Sequence, residues 1–205
     1  KAGSDSIAGQ ASLADIEVAT ERLQHLLVQL LALARAESAT GSEAAPKKRV
    51  DIVELARKVA VDFAPAALRA GVELVFDGPE KRAEVATAPA LATELISNLI
   101  DNAIRYNRAG GEVLVRFGQS DSEVMVVIED DGPGIPAGEH EMAFARFKRF
   151  AGQQRPGSGL GLAIARALAE AIGASISLRD RPSRAGLTAE VTFPKGRRKK
   201  ASARA

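Results

Sequence analysis

Two asparagines and an arginine are spaced along one predicted helix so that their side chains could act together. Between Glu94 and Tyr106, Asn98 and Asn102 are one helical turn apart, and Arg105 follows almost one turn later. The opposite face of this helix is apolar and carries Leu95, Ile96, Leu99, Ile100, Ala103 and Ile104. Amide oxygens one turn apart suit a hard cation such as Mg²⁺, and a guanidinium suits a phosphate. The alternative is an amphipathic helix whose polar face is merely solvated.

A pair of aspartates follows the apolar run 124–128, which predicts a buried strand. Asp130 and Asp131 are followed by Gly-Pro-Gly, residues that favour turns and close approach of the backbone. A carboxylate at the end of a strand, beside glycines, can accept a hydrogen bond from an adenine amino group. The alternative is an ordinary polar turn.

Three glycines at positions 157, 159 and 161 come directly before the helical run 162–172. Glycines that open a helix let free backbone N–H groups and the positive end of the helix dipole approach an anion. A dinucleotide-binding fingerprint would require a strand immediately before the glycines. The preceding stretch, 147–156, is a polar loop, so the dinucleotide hypothesis is excluded.

In this order the three segments resemble the N, G1 and G2 boxes of sensor histidine kinases. The stretch 144–149 resembles the F box of that family, and residues 150–156 then correspond to a short ATP lid, as in kinases of the OmpR-partner type. The resemblance covers roughly residues 10–194. It implies an α+β Bergerat (GHKL) fold, shared with gyrase-type ATPases, Hsp90 chaperones and mismatch-repair ATPases, with ATP and Mg²⁺ as cofactors.

The resemblance also assigns roles to individual residues. Asn102 is matched to Mg²⁺, Arg105 to phosphate, Tyr106 to packing beside the adenine and Asp130 to the adenine amino group. Asn98, Arg149 and Arg155 are expected to be catalytic. The complete expected ATP-binding set is Asn98, Asn102, Arg105, Tyr106, Asp130, Gly132, Gly134, Ile135, Arg149, Arg155, Gly157, Ser158, Gly159, Leu160, Gly161 and Leu162.

One position departs from the hydrolases of this fold. Gyrase-type relatives carry a glutamate, one helical turn before the metal-binding asparagine, that activates water. Asn98 stands at that position here, and an amide cannot serve as a general base. We therefore expect poor attack by water and a γ-phosphate held for an outside nucleophile. Positioning and charge neutralisation by Mg²⁺, Arg149 and Arg155 would carry the catalysis.

The sequence has two histidines, and neither matches the phosphoacceptor motif of the family, His-Glu/Asp-x-Arg-Thr-Pro. His25 is followed by Leu-Leu-Val, and His140 lies between the G1 and F boxes, where we expect a surface residue. The acceptor helix is thus predicted to lie outside this chain, and the chain alone is predicted not to autophosphorylate.

Composition limits the remaining function classes. The chain of 205 residues is 46% hydrophobic and has no cysteine, which allows one or two packed domains without disulfides. No apolar run is long enough to span a membrane, there is no signal peptide and the first residue is not Met, so we expect a fragment. Residues 195–205 hold six basic residues and no acid, which leaves a net charge of −4 on the rest. Nucleic-acid binding is therefore not supported.

Hydrophobic periodicity, charge and the family resemblance together divide the chain into four regions. Residues 1–12 form a loop or frayed start, and residues 13–40 form a long helix that resembles the second helix of the kinase dimerisation hairpin. Residues 47–194 form the ATP-binding catalytic domain, and residues 195–205 a disordered basic tail. Within the domain the pattern predicts a mixed sheet with helices on one face. The predicted strands are 48–51, 72–76, 83–86, 112–117, 123–129, 174–178 and 187–193, and the predicted helices include 52–70, closed by Gly71.

The favoured function is the ATP-binding catalytic core of a sensor histidine kinase. It would donate the γ-phosphate of ATP to a histidine outside this chain, and a response-regulator aspartate would then receive it. The expected partners are the acceptor helix, the response regulator and a second copy in a homodimer, in the cytoplasmic part of an inner-membrane sensor. The alternatives are a GHKL-type ATP-driven clamp or hydrolase, and a non-catalytic nucleotide-binding dimer module.

Overall fold

The structure is a computed structural model that describes Ala34 and residues 46–79, 81–150, 158–182 and 185–195. Three predictions concern residues outside the described ones: the start over 1–12, the helix over 13–40 except for Ala34, and the tail after Lys195. The same holds for two expected phosphate-binding residues, Arg155 and Gly157.

The described elements follow the predicted order. The predicted bounds of the seven strands and of the helices over 52–70 and 162–172 agree with the structure within two residues. The strands are β1 (Lys48–Asp51), β2 (Glu73–Asp77), β3 (Glu84–Thr87), β4 (Glu112–Gln119), β5 (Glu123–Asp130), β6 (Ser175–Asp180) and β7 (Leu187–Pro194). The helices are α1 (Ile52–Ala70), α2 (Pro89–Arg105) and α3 (Gly161–Ile172), with a 3₁₀ turn at Met142–Phe144.

The strands form two sheets. The larger sheet has the order β2-β4-β5-β7-β6, in which β2 and β4 are parallel and the other neighbours are antiparallel. Strands β1 and β3 pair separately as a two-stranded antiparallel sheet. The predicted mixed sheet is confirmed, and so is the predicted hairpin of β4 and β5. The separate β1–β3 pair was not foreseen, because strand partners are not visible in local sequence patterns.

Helix α1 is defined by a signal at each end. The Asp51 Oδ1 atom accepts hydrogen bonds from the N–H groups of Val53 (3.2 Å) and Glu54 (3.5 Å), as an N-cap side chain does. It also accepts a bond from the Ala83 N–H at 3.3 Å, which ties the helix start to the approach of β3. Gly71 ends the helix at φ 66°, in the left-handed region that glycine adopts without strain.

The core lies between the helices and one face of the larger sheet. Paired residues such as Val115 and Ile128, or Val126 and Val191, share that face and are buried. The six apolar residues predicted for α2 are all buried in the same cluster. The polar side of α2, with Asn98 and Asn102, is only half-buried and turns away from the core. Among the described residues no helix is both long and apolar enough to cross a lipid bilayer.

The cap at Asp51 gives a stability prediction. Asp51→Ala removes the acceptor for three backbone N–H groups, so we expect the free energy of unfolding to fall by about 1–2 kcal/mol. Chemical denaturation measures this change. Asp62→Ala, at an exposed position within the same helix, is the control and should change stability by less than about 0.5 kcal/mol. Equal effects of the two substitutions would contradict the capping role.

Candidate functional site

A cavity opens between α2, the end of β5, the start of α3 and β7. The space between these elements is about 750 Å³ when the volume open to solvent is included. Its polar lining residues include Asn102, Tyr106, Asp130 and Lys148. Its apolar and glycine lining consists of Leu99, Ala103, Ile128, Pro133, Gly134, Ile135, Ala143, Phe150, Gly159, Gly161, Leu162, Leu187 and Ala189. An apolar pocket with a few polar groups is typical of a small-molecule or cofactor site.

Asp130 is the last residue of β5 and supplies the buried carboxylate of this cavity. Its Oδ1 atom accepts hydrogen bonds from the N–H groups of Gly132 (2.8 Å) and Leu187 (3.3 Å). Its Oδ2 atom has no such partner within the described part of the chain, and the residue faces the cavity. Burial raises the pKa of this carboxyl from 3.8 to about 6, although the two N–H groups and the charge of Arg181 offset part of the rise. Asp130 therefore presents a hydrogen-bonding atom to a ligand in an apolar surrounding.

Glycines allow the backbone to close tightly around Asp130. A Cβ atom on Gly132 would lie 2.6 Å from the Tyr106 carbonyl oxygen and 2.8 Å from Asp130 Oδ1. Gly186 has φ +139°, and a Cβ atom there would lie 1.9 Å from the Asp130 carbonyl oxygen. The end of α2, the end of β5 and the β6–β7 turn thus meet at the carboxylate, with no room for side chains.

The Asn102 amide lies against the first residue of α3. A Cβ atom on Gly161 would come within 2.6 Å of both Asn102 amide atoms, Oδ1 and Nδ2. Nδ2 is buried and has no hydrogen-bond partner in the described part of the chain. Nδ2 can only donate a hydrogen bond, so the atom that could bind Mg²⁺ is Oδ1, because this ion takes one or two protein oxygens and fills its shell with phosphate oxygens and water.

The start of α3 is held by a hydrogen bond between backbone atoms of two predicted motifs. The Phe147 N–H donates to the Gly159 carbonyl at 2.9 Å. Gly159 has φ +70°, and a Cβ atom there would lie 2.7 Å from the Phe147 carbonyl carbon. Ser158 Oγ accepts a bond from the Leu160 N–H at 3.2 Å, and Leu160 itself is buried. The described F-box and G2 residues are therefore joined directly, whereas residues 151–157 lie outside the described part.

Eight of the expected ATP-binding residues line the cavity. They are Asn102, Tyr106, Asp130, Gly134, Ile135, Gly159, Gly161 and Leu162. Gly132, Ser158 and Leu160 support this lining through the backbone contacts described above. Arg149 is described but does not line the cavity.

Two polar residues of α2 do not reach the cavity. Asn98 Nδ2 donates to the carbonyl oxygen of Glu94 at 3.0 Å, one turn back on its own helix. Arg105 forms an ion pair with Asp101 at 3.3 Å. Neither residue lines the cavity, so their expected contacts with phosphate or metal remain predictions.

Several lining residues were missed from the sequence. Leu187 and Ala189 enter the cavity only because β7 pairs with β5, a long-range register that local patterns do not show. Lys148 lines the cavity, and its Nζ atom lies 3.3 Å from Glu139 Oε2 and 5.1 Å from the centre of the Phe150 ring. Its position next to Arg149, which was expected to bind ATP, could have indicated it.

His140 lies at the surface, as expected, and is partly covered. Its side chain is 21% exposed, and Nε2 lies 3.1 Å from Asp180 Oδ1 at the end of β6. The partial cover arises because β6 ends beside the loop that carries His140.

The family of the chain follows from a match to the part of the sequence that forms the cavity. A model of the family described as histidine kinase-, DNA gyrase B- and HSP90-like ATPase matches residues 87–197, which is more than half of the chain. The chain therefore belongs to this ATPase family. The match includes α2, Asp130 and the glycines that open α3, so the resemblance and the α+β fold expected from the sequence are confirmed.

The relatives within this family are sensor kinases. The chain is 32% identical over 189 residues to the swarming motility regulation sensor protein RssA of Serratia marcescens, covering 91% of this chain and 39% of that protein. It is 36% identical over 183 residues to the sensor protein CutS of Streptomyces coelicolor, covering 86% of this chain and 42% of that protein. The chain thus spans about two fifths of the length of these relatives.

Solved structures of histidine kinases share the fold. The mycobacterial sensor histidine kinase MprB is 28% identical and superposes with a TM-score of 0.63, covering 72% of this chain and 97% of that chain. Full-length ShkA in complex with AMPPNP is 25% identical, with a TM-score of 0.70, covering 84% of this chain and 35% of that chain. The chain therefore contains an ATPase domain of the histidine kinase type.

The carboxylate geometry predicts a loss of nucleotide binding in Asp130→Asn. If Oδ1 keeps its two backbone partners, an NH₂ group replaces Oδ2 and faces the adenine amino group, donor against donor. We expect ATP affinity, measured by titration calorimetry, to fall by about 10–100-fold. Asp121→Asn, exposed in the β4–β5 turn, should bind ATP like the wild type. Unchanged affinity in Asp130→Asn would show that the carboxylate does not contact the base.

The raised pKa of Asp130 predicts a pH-dependent difference in stability. Because the folded protein holds this proton up to about pH 6 and the unfolded chain releases it near pH 3.8, Asp130 favours folding at low pH. This stabilisation is lost as the pH rises through about 6. The asparagine in the Asp130→Asn variant does not titrate, so this variant does not lose the stabilisation as the pH rises. Its free energy of unfolding minus that of the wild type should therefore increase by roughly 2–3 kcal/mol between pH 3.5 and pH 7. Denaturation at several pH values measures this; a flat difference would contradict the buried carboxylate.

Proposed function

We propose that this chain is the ATP-binding catalytic core of a sensor histidine kinase. It donates the γ-phosphate of ATP to a histidine on a polypeptide outside this chain, and a response-regulator aspartate then receives the phosphoryl group. One observation carries the proposal. A single cavity joins the buried Asp130 carboxylate to the Asn102 amide and to the glycines that open α3.

The Asp130 end of the cavity suits adenine. The apolar walls from Leu99, Ala103 and Ile128 pack against a flat base, and Asp130 Oδ2 accepts a hydrogen bond from its amino group. Tyr106, at the end of α2, closes one side. ShkA, which has the same fold, was solved in complex with the nucleotide AMPPNP, and this supports the proposal that the present chain binds a nucleotide.

The opposite end suits the phosphates. Gly159 and Gly161 leave backbone space at the start of α3, where N–H groups and the helix dipole favour an anion. Lys148 adds a positive charge at the cavity wall. Asn102 would hold Mg²⁺, which neutralises phosphate charge and orients the transferring group when bound.

The absence of a basic residue at position 98 favours transfer over hydrolysis. The Asn98 amide donates a hydrogen bond to the Glu94 carbonyl, and an amide is not basic enough to take a proton from water. Bound ATP would therefore be hydrolysed slowly, and its γ-phosphate would remain available to a nucleophile from another polypeptide. The arginines at 149 and 155 are proposed to stabilise the transferring phosphoryl group, and the helix over residues 13–40 to pair with a second copy.

The proposal is tested by phosphotransfer between two polypeptides. The chain is mixed with Mg²⁺, γ-labelled ATP and a separate polypeptide that carries the family acceptor motif His-Glu/Asp-x-Arg-Thr-Pro on a helix. We expect acid-labile label on the added polypeptide and none on this chain. Asn102→Ala should lower the transfer rate by about 100-fold, whereas Gln119→Ala, at an exposed site on β4, should leave it unchanged.

Other results would point to the alternatives. Label on His25 would overturn the need for an outside acceptor. Multiple-turnover release of phosphate that Asn98→Ala abolishes would favour an ATP-driven clamp or hydrolase. Tight ATP binding without transfer or turnover would favour a non-catalytic module.

A further inference from the structure

A group of charged side chains lies on the face of the sheet opposite the cavity, directly behind Asp130. Arg181, just after β6, is at its centre, and its side chain is 4% exposed. Its guanidinium pairs with Asp131, with Glu112 at 2.8 Å and with Glu129 at 3.5 Å. The side chains of Glu129 and Asp131 are 5% and 4% exposed. One buried cation is thus surrounded by three carboxylates from β4, β5 and the residue after β5.

Further bonds complete this cluster. Arg116 of β4 pairs with Glu129, and Arg108 lies 3.5 Å from Asp131 Oδ2. The N–H group of Glu112 donates to the same Asp131 oxygen at 3.1 Å. Arg108 and Arg116 are substantially exposed, so Arg181 is the cation that the interior of the cluster depends on.

Arg181 also contacts the segment that closes over Asp130. Its backbone N–H donates to the Gly186 carbonyl at 3.1 Å. A Cβ atom on Gly186 would lie 3.4 Å from Arg181 Cδ, so the arginine stem packs beneath this glycine. The next residue, Leu187, donates its N–H to Asp130 Oδ1. The same arginine therefore holds Asp131 through its side chain and the β6–β7 turn through its backbone and its stem.

We propose that Arg181 is a positioning residue for base recognition, which fixes the Asp130 carboxylate by joining β4, the end of β5 and the β6–β7 turn. The inference rests on the proposed function, because it assigns Asp130 to the adenine amino group. Arg181 does not line the cavity. It acts through Asp131 on one side and through Gly186 and Leu187 on the other.

Electrostatics give this role a measurable signature. The positive charge of Arg181 lowers the pKa of Asp130, whereas burial and the neighbouring Asp131 raise it. The other charges on this side are those of Glu112, Glu129, Arg108 and Arg116, and Lys148 lies at the cavity wall. Removing the Arg181 charge should raise the pH at which Asp130 becomes an acceptor, an effect that a purely structural contact would not produce.

The experiment compares ATP with inosine triphosphate, which carries an oxygen in place of the adenine amino group. For the wild-type chain we expect ATP to bind at least about tenfold more tightly, because two acceptors would otherwise face each other. Arg181→Met should reduce this preference to about threefold or less and shift the midpoint of the pH dependence of ATP binding upward. Binding is measured by calorimetry in Mg²⁺, after circular dichroism has shown that each variant is folded.

Two further variants make the comparison specific. Arg179→Met removes a half-exposed arginine of β6, two residues before Arg181, where it pairs with Glu190 at 3.4 Å, and should keep the wild-type preference and midpoint. Arg181→Lys keeps the charge but not the planar fork that spans three carboxylates. Arg181→Lys should reduce the preference for ATP over inosine triphosphate while leaving the pH midpoint of ATP binding near that of the wild type. If Arg181→Met does not fold, Arg181→Lys is used to test the proposal in its place.

The outcomes separate this inference from the proposed function. Folded Arg181 variants that keep the wild-type ATP preference, or that match Arg179→Met, overturn the positioning role and leave the proposed function intact. A wild-type chain that binds ATP and inosine triphosphate equally removes the adenine contact, and the positioning role of Arg181 falls with it. The proposed function is then decided by the phosphotransfer experiment alone.

Discussion

The cavity depends on one constraint, which is that a buried carboxylate must receive hydrogen bonds to remain at the end of a central strand. Asp130 obtains them from Gly132 N–H, in its own turn, and from Leu187 N–H, at the start of a different strand. This requirement brings β7 beside β5 at the correct register and keeps side chains out of positions 132 and 186. The apolar residues of β7 that wall the cavity, Leu187 and Ala189, are placed by the same pairing.

The two faces of the sheet at this point have different chemistry. Alternation along β5 directs Ile128 and Asp130 to the cavity side and Glu129 to the opposite side. Burying the charges of Glu129 and Asp131 is costly unless they are paired, and Arg181 supplies the pairing. The strand end is therefore held from both sides, by backbone donors at the cavity and by an arginine behind it.

The sequence predicted those features that depend on local periodicity. The face of α2, the turn after Asp130 and the glycines at the start of α3 follow from short-range patterns, and each proved to be where it was expected. Leu187, Gly186 and Arg181 could not be predicted, because their roles arise from pairing between distant strands. Asn98 is a different case, because its Nδ2 atom donates to a carbonyl of its own helix and the residue does not line the cavity, so its expected role as a ligand stays a prediction.

The contact between Asn102 and Gly161 links two motifs that are far apart in the chain. No space remains at Gly161 for even a methyl group while the asparagine side chain keeps its place. A larger residue at the first position of α3 would require the side chain at 102 to shift or to be shortened, and either change would take the amide out of its present position. The two positions should therefore vary together or not at all, so a chimera that exchanges one motif between distant relatives must exchange the other as well.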